Sequence, residues 1–271
     1  MSEQQQGVPT FHVDQVHTAD HGFITQVLDM QAALPGVVRM RRWALDALAV
    51  QPGESALDIG SGTGSEVVAF AELVGVTGRA MGVDPNPTML AIARERAAGT
   101  SAEFVEGTSY ALPLGDAVID VARCERVYQH LDDPEKATTE LARVLKPGGR
   151  VVLIDSDWST SITHPGDPDI VAILQRQMES ASPNRNSGRR LRGLLTEAGF
   201  IIDDIGSEAV IWSPEAIMPM FTIFLEGNVE EGVITEAQRD QIVGELEHGI
   251  ATGDYHFSVT MFAVVAHNPA N

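Results

Sequence analysis

The sequence predicts an α/β fold in which a mostly parallel sheet is covered by helices on both faces. From residue 50 onward, short apolar runs alternate with stretches of helical length. These runs are continuously apolar, which is typical of parallel strands buried on both faces. The first of them leads into a glycine-rich turn, Gly60-Ser61-Gly62-Thr63-Gly64. At 271 residues, the chain has the length of one large domain with an attached cap.

The first 49 residues precede this alternation and are expected to form a helical arm or cap. Residues 1–12 are expected to be flexible, whereas residues 13–49 show helical spacing, and Pro35 suits a first helical turn. Arg41 falls on the apolar face of that helix, where its stem would cover apolar surface while its charged head reaches water. The apolar residues of this face are Val37, Val38, Met40, Ala44, Leu45, Ala47 and Leu48.

Residues 50–271 are predicted to form alternating strands and helices. Strands are predicted at 56–59, 80–84, 102–106, 119–124 and 150–155. Helices are predicted at 65–74 and 87–98, and a third is predicted to begin near Pro134 and to be ended by Lys146-Pro147-Gly148-Gly149.

Two long interruptions follow the fifth strand and are predicted to belong to the cap. The segments after residue 155 are an interruption at 156–188, a helix at 189–198, a strand at 200–205, a second interruption at 213–250 and a last strand at 256–266. The interruptions should lie above the carboxyl ends of the strands, where open α/β sheets bind ligands. Met218, Met220 and Phe221 are expected in the core rather than in a pocket.

Composition excludes several classes of partner. The net charge is -20, from 38 acidic and 18 basic residues, which disfavours nucleic acid as a partner. Cys124 is the single cysteine, so no disulfide and no multi-cysteine metal site is expected. Neither a targeting segment nor a membrane span is recognisable. We therefore expect a cytoplasmic protein without a metal.

The glycine turn indicates which cofactor it could bind. Its spacing is Gly-x-Gly-x-Gly, and Ser65 stands where the dinucleotide fingerprint requires a third glycine, which argues against NAD or FAD. Asp58 adds an acceptor beside the turn that suits a ligand carrying an ammonium group. Asp84 ends the second strand, where such folds bind a ribose diol. The alternative for Asp84 is an Asx-turn into Pro85.

Five motifs occur together and in order: Asp58-x-Gly60-x-Gly62-x-Gly64, Val83-Asp84, Ala111-Leu112-Pro113-Leu114, the run from Arg126 to Leu131, and Leu145-Lys146-Pro147-Gly148-Gly149. The chain thereby resembles the class I S-adenosylmethionine (SAM) dependent methyltransferases, within the small-molecule branch that includes ubiquinone and menaquinone methylases. This resemblance implies a Rossmann-like, seven-stranded, mostly parallel sheet, in which the last strand is antiparallel and lies between strands five and six.

The resemblance also implies a set of cofactor-binding residues. Arg41 would pair with the methionine carboxylate of SAM, and Asp84 would accept hydrogen bonds from the ribose hydroxyls. Thr108 replaces the acid that usually accepts the adenine amino group. Cys124 is expected to be a small buried residue that contributes backbone atoms only. The full set is Arg41, Asp58, Gly60, Gly62, Gly64, Asp84, Pro85, Gly107, Thr108, Ser109, Cys124 and Glu125.

His130 and Asp157 are the candidates for a general base, because each follows a strand at the predicted site. A structural role in orienting its loop is the alternative for His130. The rival histidines are His17, His21, His164 and His256. The expected reaction is methyl transfer to a small organic acceptor, by O-, N- or C-methylation and in secondary metabolism, by a monomer or homodimer. The alternative is a fold that binds SAM without methylating.

Overall fold

The computed structural model describes residues 21–180 and 183–270. The predicted flexible arm and His17 lie outside these residues. The described chain begins within the predicted N-terminal helical segment, and two helices are found there, the second of which begins at Pro35 as predicted.

One seven-stranded sheet organises the chain, in the order β3-β2-β1-β4-β5-β7-β6. Its strands are β1 (Ser55–Ile59), β2 (Arg79–Asp84), β3 (Ala102–Glu106), β4 (Ile119–Glu125), β5 (Leu145–His164), β6 (Ile201–Ile211) and β7 (His256–His267). Strands β1 to β5 run parallel, whereas β7 lies between β5 and β6 and is antiparallel to both. The predicted fold class is therefore confirmed.

The helices of the described chain pack on both faces of this sheet. They are α1 (His21–Ala32), α2 (Pro35–Leu48), α3 (Ser65–Val74), α4 (Pro87–Arg96), α5 (Pro134–Val144), α6 (Pro168–Ser180), α7 (Ser187–Glu197), α8 (Pro214–Glu230) and α9 (Glu236–Thr252). The bounds of α3 and β3 agree with those predicted from the sequence, whereas α4 ends two residues before the predicted position.

Local sequence explains where these helices begin. The Asn86 side chain caps α4 by accepting the Thr88 N–H at 2.9 Å, and Asp133 caps α5 by accepting the Lys136 N–H at 2.9 Å. Thr235 and Gln238 form a capping box at the start of α9. Each cap satisfies N–H groups that the first turn of a helix leaves without an intrahelical partner.

Strand β5 is much longer than the predicted 150–155. It begins directly after α5, at Leu145, and its register shifts once before Arg150 pairs with Val121. Beyond Ile154, the last residue of β5 that pairs with β4, it continues beside β7 as far as His164. The first part of the predicted interruption at 156–188 is thus a strand, and its second part contains α6.

The buried apolar side chains form two clusters. Successive residues of β5 alternate between them, since Val152 and Ile154 belong to one cluster and Val151 and Leu153 to the other. The first cluster includes residues of α2, α3 and α8, and the second includes residues of α5 and α7. Helices therefore bury both faces of the sheet, as the continuously apolar strands predicted.

Candidate functional site

A cavity of about 640 Å³ lies where β1, β2 and β4 end. Its lining combines the glycine turn after β1 with residues of α1, α2, α8, β6 and β7. This is the edge at which open α/β sheets bind ligands. Its volume falls within the range of about 300–1,000 Å³ that is typical of small-molecule sites.

The glycine turn has a backbone that only glycine adopts readily. Gly60, Gly62 and Gly64 have φ angles of +73°, +50° and +84°. A Cβ on Gly60 would collide with Val127, and one on Gly64 would lie 2.7 Å from the ring of Phe104. A Cβ on Gly62 would meet only the Leu28 Cδ1 atom, at 4.0 Å, and Gly62 lines the cavity. The chain thus approaches this space without a side chain at Gly62.

Asp84 connects the end of β2 to this turn. Its Oδ2 atom accepts the Gly62 N–H at 2.9 Å, and its Oδ1 atom accepts the Asn86 N–H at 2.8 Å. Burial raises the pKa of Asp84, and the two backbone N–H groups oppose that rise. The Asx-turn considered as an alternative is therefore present, and Asp84 also lines the cavity. A carboxylate has about four acceptor positions, so two remain for a ligand.

The remaining loop residues named from the sequence also line the cavity. Pro85 follows Asp84, and Gly107, Thr108 and Ser109 follow β3. A Cβ on Gly107 would lie 2.8 Å from the Cδ atom of Pro113, so close packing of the loop requires glycine there.

A buried ionic network lies beside the turn. Arg123 bonds to Asp58 at 3.0 Å and also to Glu125. Arg41 contacts Glu125 at 2.8 Å and Glu66 at 3.1 Å. Arg126 completes the network 3.3 Å from Glu125. All six of these residues line the cavity, and three arginines balance three carboxylates.

The pKa values of two carboxyl groups in this network are shifted in opposite directions. Burial raises the pKa of Asp58 to about 6, although Arg123 opposes the rise. Burial would also raise the pKa of Glu125, but Arg123, Arg41 and Arg126 outweigh it and lower that pKa well below its usual range. Glu125 is therefore the firmly ionised centre of the network.

The network corrects one interpretation of Arg41. Its guanidinium does not project into water, because three of its nitrogens bond to Glu125 and Glu66 and the side chain is only 18% exposed. Asp58 likewise engages Arg123 and is 2% exposed. Both residues remain on the cavity lining, with much of their hydrogen-bonding capacity already used.

His130 lines the same cavity. It ends a short 3₁₀ helix, Tyr128–His130, that directly follows β4. The Asp155 carboxylate holds this helix by accepting the Gln129 N–H at 2.9 Å. Burial raises the pKa of Asp155 to about 7, against the opposing effect of the backbone N–H groups of Ser156 and Gln129.

Asp157 is at odds with its predicted role as a base. It is fully buried and does not line the cavity, whereas its neighbours Ser156 and Trp158 do. Its carboxylate accepts the Ser159 hydroxyl at 2.7 Å and pairs with Arg189. Because side chains alternate along a strand, Asp157 faces away from the site.

Cys124, His164 and His256 all lie off the cavity lining. Cys124 is fully buried and off the cavity lining, and burial raises the pKa of its thiol well above the usual value. This environment suits an unreactive apolar residue. Among the rival histidines, exposed His164 lies 3.1 Å from Asp254, and His256 bonds to the Ser258 hydroxyl at 2.9 Å; neither lines the cavity.

The sequence did not reveal that much of the cavity lining is apolar. Met218, Met220 and Phe221 belong to or pack against a buried apolar cluster, as expected, and Met220 and Phe221 also line the cavity. Arg185 also lines the cavity, although it sits in a segment whose proline, asparagine and serine content indicated only a loop. We call the following residues the apolar wall: Val210, Trp212, Ile217, Met220, Phe221, Phe224, Phe257, Val259 and Met261.

The described residues show neither a metal-binding cluster nor a membrane-spanning helix. No group of three or more His, Cys, Asp or Glu residues is arranged to hold a metal ion within residues 21–180 and 183–270. None of the helices described above combines the length and the apolar character needed to cross a membrane.

Comparisons with known proteins match this architecture. Residues 57–153 match the model of a methyltransferase domain. An uncharacterised 37.1 kDa protein in transposon TN4556 of Streptomyces fradiae is 33% identical over 253 residues, which span 88% of this chain and 70% of that protein. The ubiquinone/menaquinone biosynthesis C-methyltransferase UbiE of Klebsiella pneumoniae is 35% identical over 187 residues, 61% of this chain and 74% of that protein.

A solved structure of a SAM-dependent methyltransferase from Aquifex aeolicus superposes with a TM-score of 0.55, at 17% identity, and covers 92% of this chain and 99% of that one. At this identity the superposition shows the fold alone. The family follows from the relatives that are more than 30% identical and are matched over more than two thirds of their length. The chain belongs to the class I SAM-dependent methyltransferases and uses SAM as its cofactor.

Proposed function

We propose that this enzyme methylates a small organic acceptor that binds against the apolar wall, with SAM held at the glycine turn. This assignment of SAM and the acceptor to separate places is supported by one observation: the cavity has two chemically different parts. The glycine turn, Asp84 and Thr108 line a polar part, while aromatic and aliphatic side chains of α8, β6 and β7 form the apolar wall.

Several features of the polar part fit SAM. Gly62 leaves room for a ligand beside the backbone, and Asp84 keeps acceptor positions for ribose hydroxyls. Ser61 also lines the cavity, although its hydroxyl is buried near Gly82 and has no hydrogen-bond partner among the described residues.

We infer that the remaining residues of the cofactor site follow the family assignment. Pro85, Gly107, Thr108 and Ser109 would border the adenosine part, with Thr108 offering a hydroxyl in place of a carboxylate. The network of Arg41, Asp58 and Glu125 would border the amino-acid part, and Gly60 and Gly64 would shape the turn. Cys124 lies beneath this surface and would contribute no side-chain contact.

When bound, SAM supplies an electrophilic methyl group on a sulfonium centre. The main contribution of the chain is to hold the acceptor in line with that methyl, and good positioning is worth up to about 7 to 11 kcal/mol. His130 lines the cavity and would accept a proton from an acceptor hydroxyl. Asp157 has no place in this proposal, since its carboxylate is buried against Arg189.

The N-terminal helices and the segment containing α8 would form the acceptor-binding cap. Residues of α1, α2 and α8 line the cavity together with the strands, which supports a division at residue 49 and a cap insertion near 213–250. Of the predicted insertion near 156–188, the first part extends β5, and only the part after His164 would belong to the cap. We further propose that the acceptor belongs to secondary metabolism, because both insertions are long for a minimal enzyme of this family. A monomer or homodimer in the cytoplasm is the expected state.

The first test separates cofactor binding from methyl transfer. Thermal unfolding is measured with SAM, S-adenosylhomocysteine and NAD; a ligand at 100 times its Kd stabilises by about 2.7 kcal/mol. We expect stabilisation by SAM and S-adenosylhomocysteine but not by NAD. Acceptor mixtures are then incubated with SAM and analysed by mass spectrometry for methylated products. Binding without any methylated product would favour the alternative of a SAM-binding protein that does not methylate.

A further inference from the structure

The apolar wall offers a broad aromatic surface to an acceptor. Trp212 packs edge-on against Phe257, with ring centroids 6.2 Å apart and an interplanar angle of 85°. Phe221 and Phe224 follow on α8, also with centroids 6.2 Å apart. All four rings belong to residues of the cavity lining. Such a surface suits a flat apolar body, because burial of aromatic area provides most of the binding free energy there.

Two residues of the cavity lining, Trp212 and Arg185, each carry a buried donor. The Trp212 Nε1 atom and the Arg185 Nε atom are inaccessible to solvent and have no hydrogen-bond partner within the described residues. Trp212 is only 6% exposed. A buried donor without a hydrogen-bond partner is destabilising, so any rearrangement that pairs it with an acceptor is favourable.

Arg185 differs in its partners from the other arginines of the cavity. Arg41, Arg123 and Arg126 each contact Glu125. Arg185 makes no ion pair with any residue that the structure describes, and burial lowers its pKa to about 10. At neutral pH it therefore remains charged. A desolvated cation without a carboxylate beside it is prepared to bind an anion.

The position of Arg185 is fixed by its surroundings. Its guanidinium carbon lies 5.5 Å from the centroid of the Trp158 ring, and its carbonyl accepts the Trp158 N–H at 2.9 Å. The preceding residue, Asn184, donates its N–H to the Gln129 carbonyl at 3.1 Å. Arg185 is thus held in a segment that is bonded to the 3₁₀ helix bearing His130.

We propose that the acceptor is a flat, aromatic carboxylic acid whose carboxylate binds Arg185 while its ring system lies against Trp212 and the rest of the apolar wall. This inference rests on the proposed function and names its substrate class. One unpaired cation matches one negative charge, and a guanidinium binds a carboxylate through two parallel hydrogen bonds. Arg185 is also needed to attract an acid into a protein whose net charge is -20.

The test compares a charged probe with its neutral counterpart. Binding of 2-naphthoate and 2-naphthamide is measured by calorimetry on the full chain saturated with S-adenosylhomocysteine. We expect 2-naphthoate to bind at least about tenfold more tightly, because hydrogen bonds to a charged group contribute about twice as much as neutral ones. Arg185→Gln should remove this preference by weakening 2-naphthoate alone. Arg185→Lys keeps the charge and should retain a preference for 2-naphthoate at lower affinity.

Arg190→Gln is the matched control, since Arg190 is exposed and bonds to Glu135 and Asn184 outside the cavity lining. It should leave both affinities unchanged. Equal binding of the two probes, no binding of 2-naphthoate, or a preference that survives Arg185→Gln in a folded variant would overturn the proposal. Saturation by S-adenosylhomocysteine is measured first, so that failure of the cofactor assignment is recognised separately. The probe titrations are repeated without it, which tests the role of Arg185 in either case.

Discussion

The Asp84 carboxylate accepts a hydrogen bond from the backbone N–H of Gly62 at 2.9 Å, across 22 positions of sequence. This bond joins the end of β2 to the turn that follows β1, so two predicted cofactor-binding elements are mechanically connected. A change at Asp84 is therefore expected to act on the ligand both directly and through the turn.

Asp84→Asn should weaken the binding of SAM and S-adenosylhomocysteine by about 10- to 100-fold, because hydrogen bonds to a charged acceptor contribute about 1.5–3 kcal/mol. Calorimetric titration measures this effect. Glu106→Gln is the control, since Glu106 pairs with Asp84 across the β2–β3 ladder but is exposed and off the cavity lining. A folded Asp84→Asn protein with unchanged affinity would disprove the ribose assignment.

Gly62→Val should prevent cofactor binding while the chain still folds, because the new side chain enters the cavity rather than the core. We expect affinity to fall by more than about 100-fold, equivalent to about 2.7 kcal/mol. Gly99→Val is matched for backbone strain, since Gly99 has φ +88° and nothing within 4 Å of an added Cβ. Normal SAM binding by Gly62→Val would show that the turn is not the site.

Stability should depend on pH through Asp155. Its pKa is about 7 in the folded chain against an ordinary value of 3.8, so the native state binds more protons between those values. The contribution of Asp155 to stability therefore falls as pH rises, by about 2 kcal/mol between pH 5.5 and pH 8. Urea unfolding at the two pH values should show a smaller pH dependence for Asp155→Asn. The exposed Asp46→Asn is the control, and an identical pH dependence in wild type and Asp155→Asn would contradict the assignment.

His130→Ala should reduce methyl transfer to a hydroxyl acceptor by about 10²- to 10⁴-fold at saturating SAM, with cofactor affinity unchanged. Single-turnover rates and calorimetry measure the two properties separately. His164→Ala provides the comparison, because His164 is exposed beside Asp254 and off the cavity lining. A fully active His130→Ala enzyme would disprove His130 as the base and would indicate either that another residue serves as the base or that the acceptor requires none.

Much of the parallel half of the sheet could be predicted from the sequence, because its signals are local. The glycines that shape the turn and the proline and polar caps of α4 and α5 lie within a few residues of the elements that they delimit. Strand β5 illustrates the opposite case. Residues 155–164 are rich in serine, threonine and aspartate, and they are extended only because β7, about 100 residues later, pairs with them.

The residues of the candidate site could be predicted from the sequence to a similar extent. Residues 60–63 of the glycine turn and the loops after β2 and β3 line one cavity, as their motifs suggested, whereas Gly64 packs against Phe104 and is not on the lining. The ionic partners of Arg41 could not be predicted, since Glu125 lies 84 positions away. The prediction that Asp157 faces the site failed, because β5 continues past its predicted end and side chains alternate along it, which turns the Asp157 side chain away from the cavity. Arg185 and Trp212 carried no motif, and only the folded chain brings them to one cavity.

The extension of β5, β6 and β7 beyond the end of β4 also has an evolutionary consequence. Val210 on β6, Trp212 directly after β6, and Phe257, Val259 and Met261 on β7 occupy every second position along the chain and line the cavity. The intervening residues face the other side of the sheet. Under the proposed function, substitutions at these five positions would change which acceptors fit without altering the ladder or the glycine turn. Specificity would then evolve one side chain at a time, with no change in loop length.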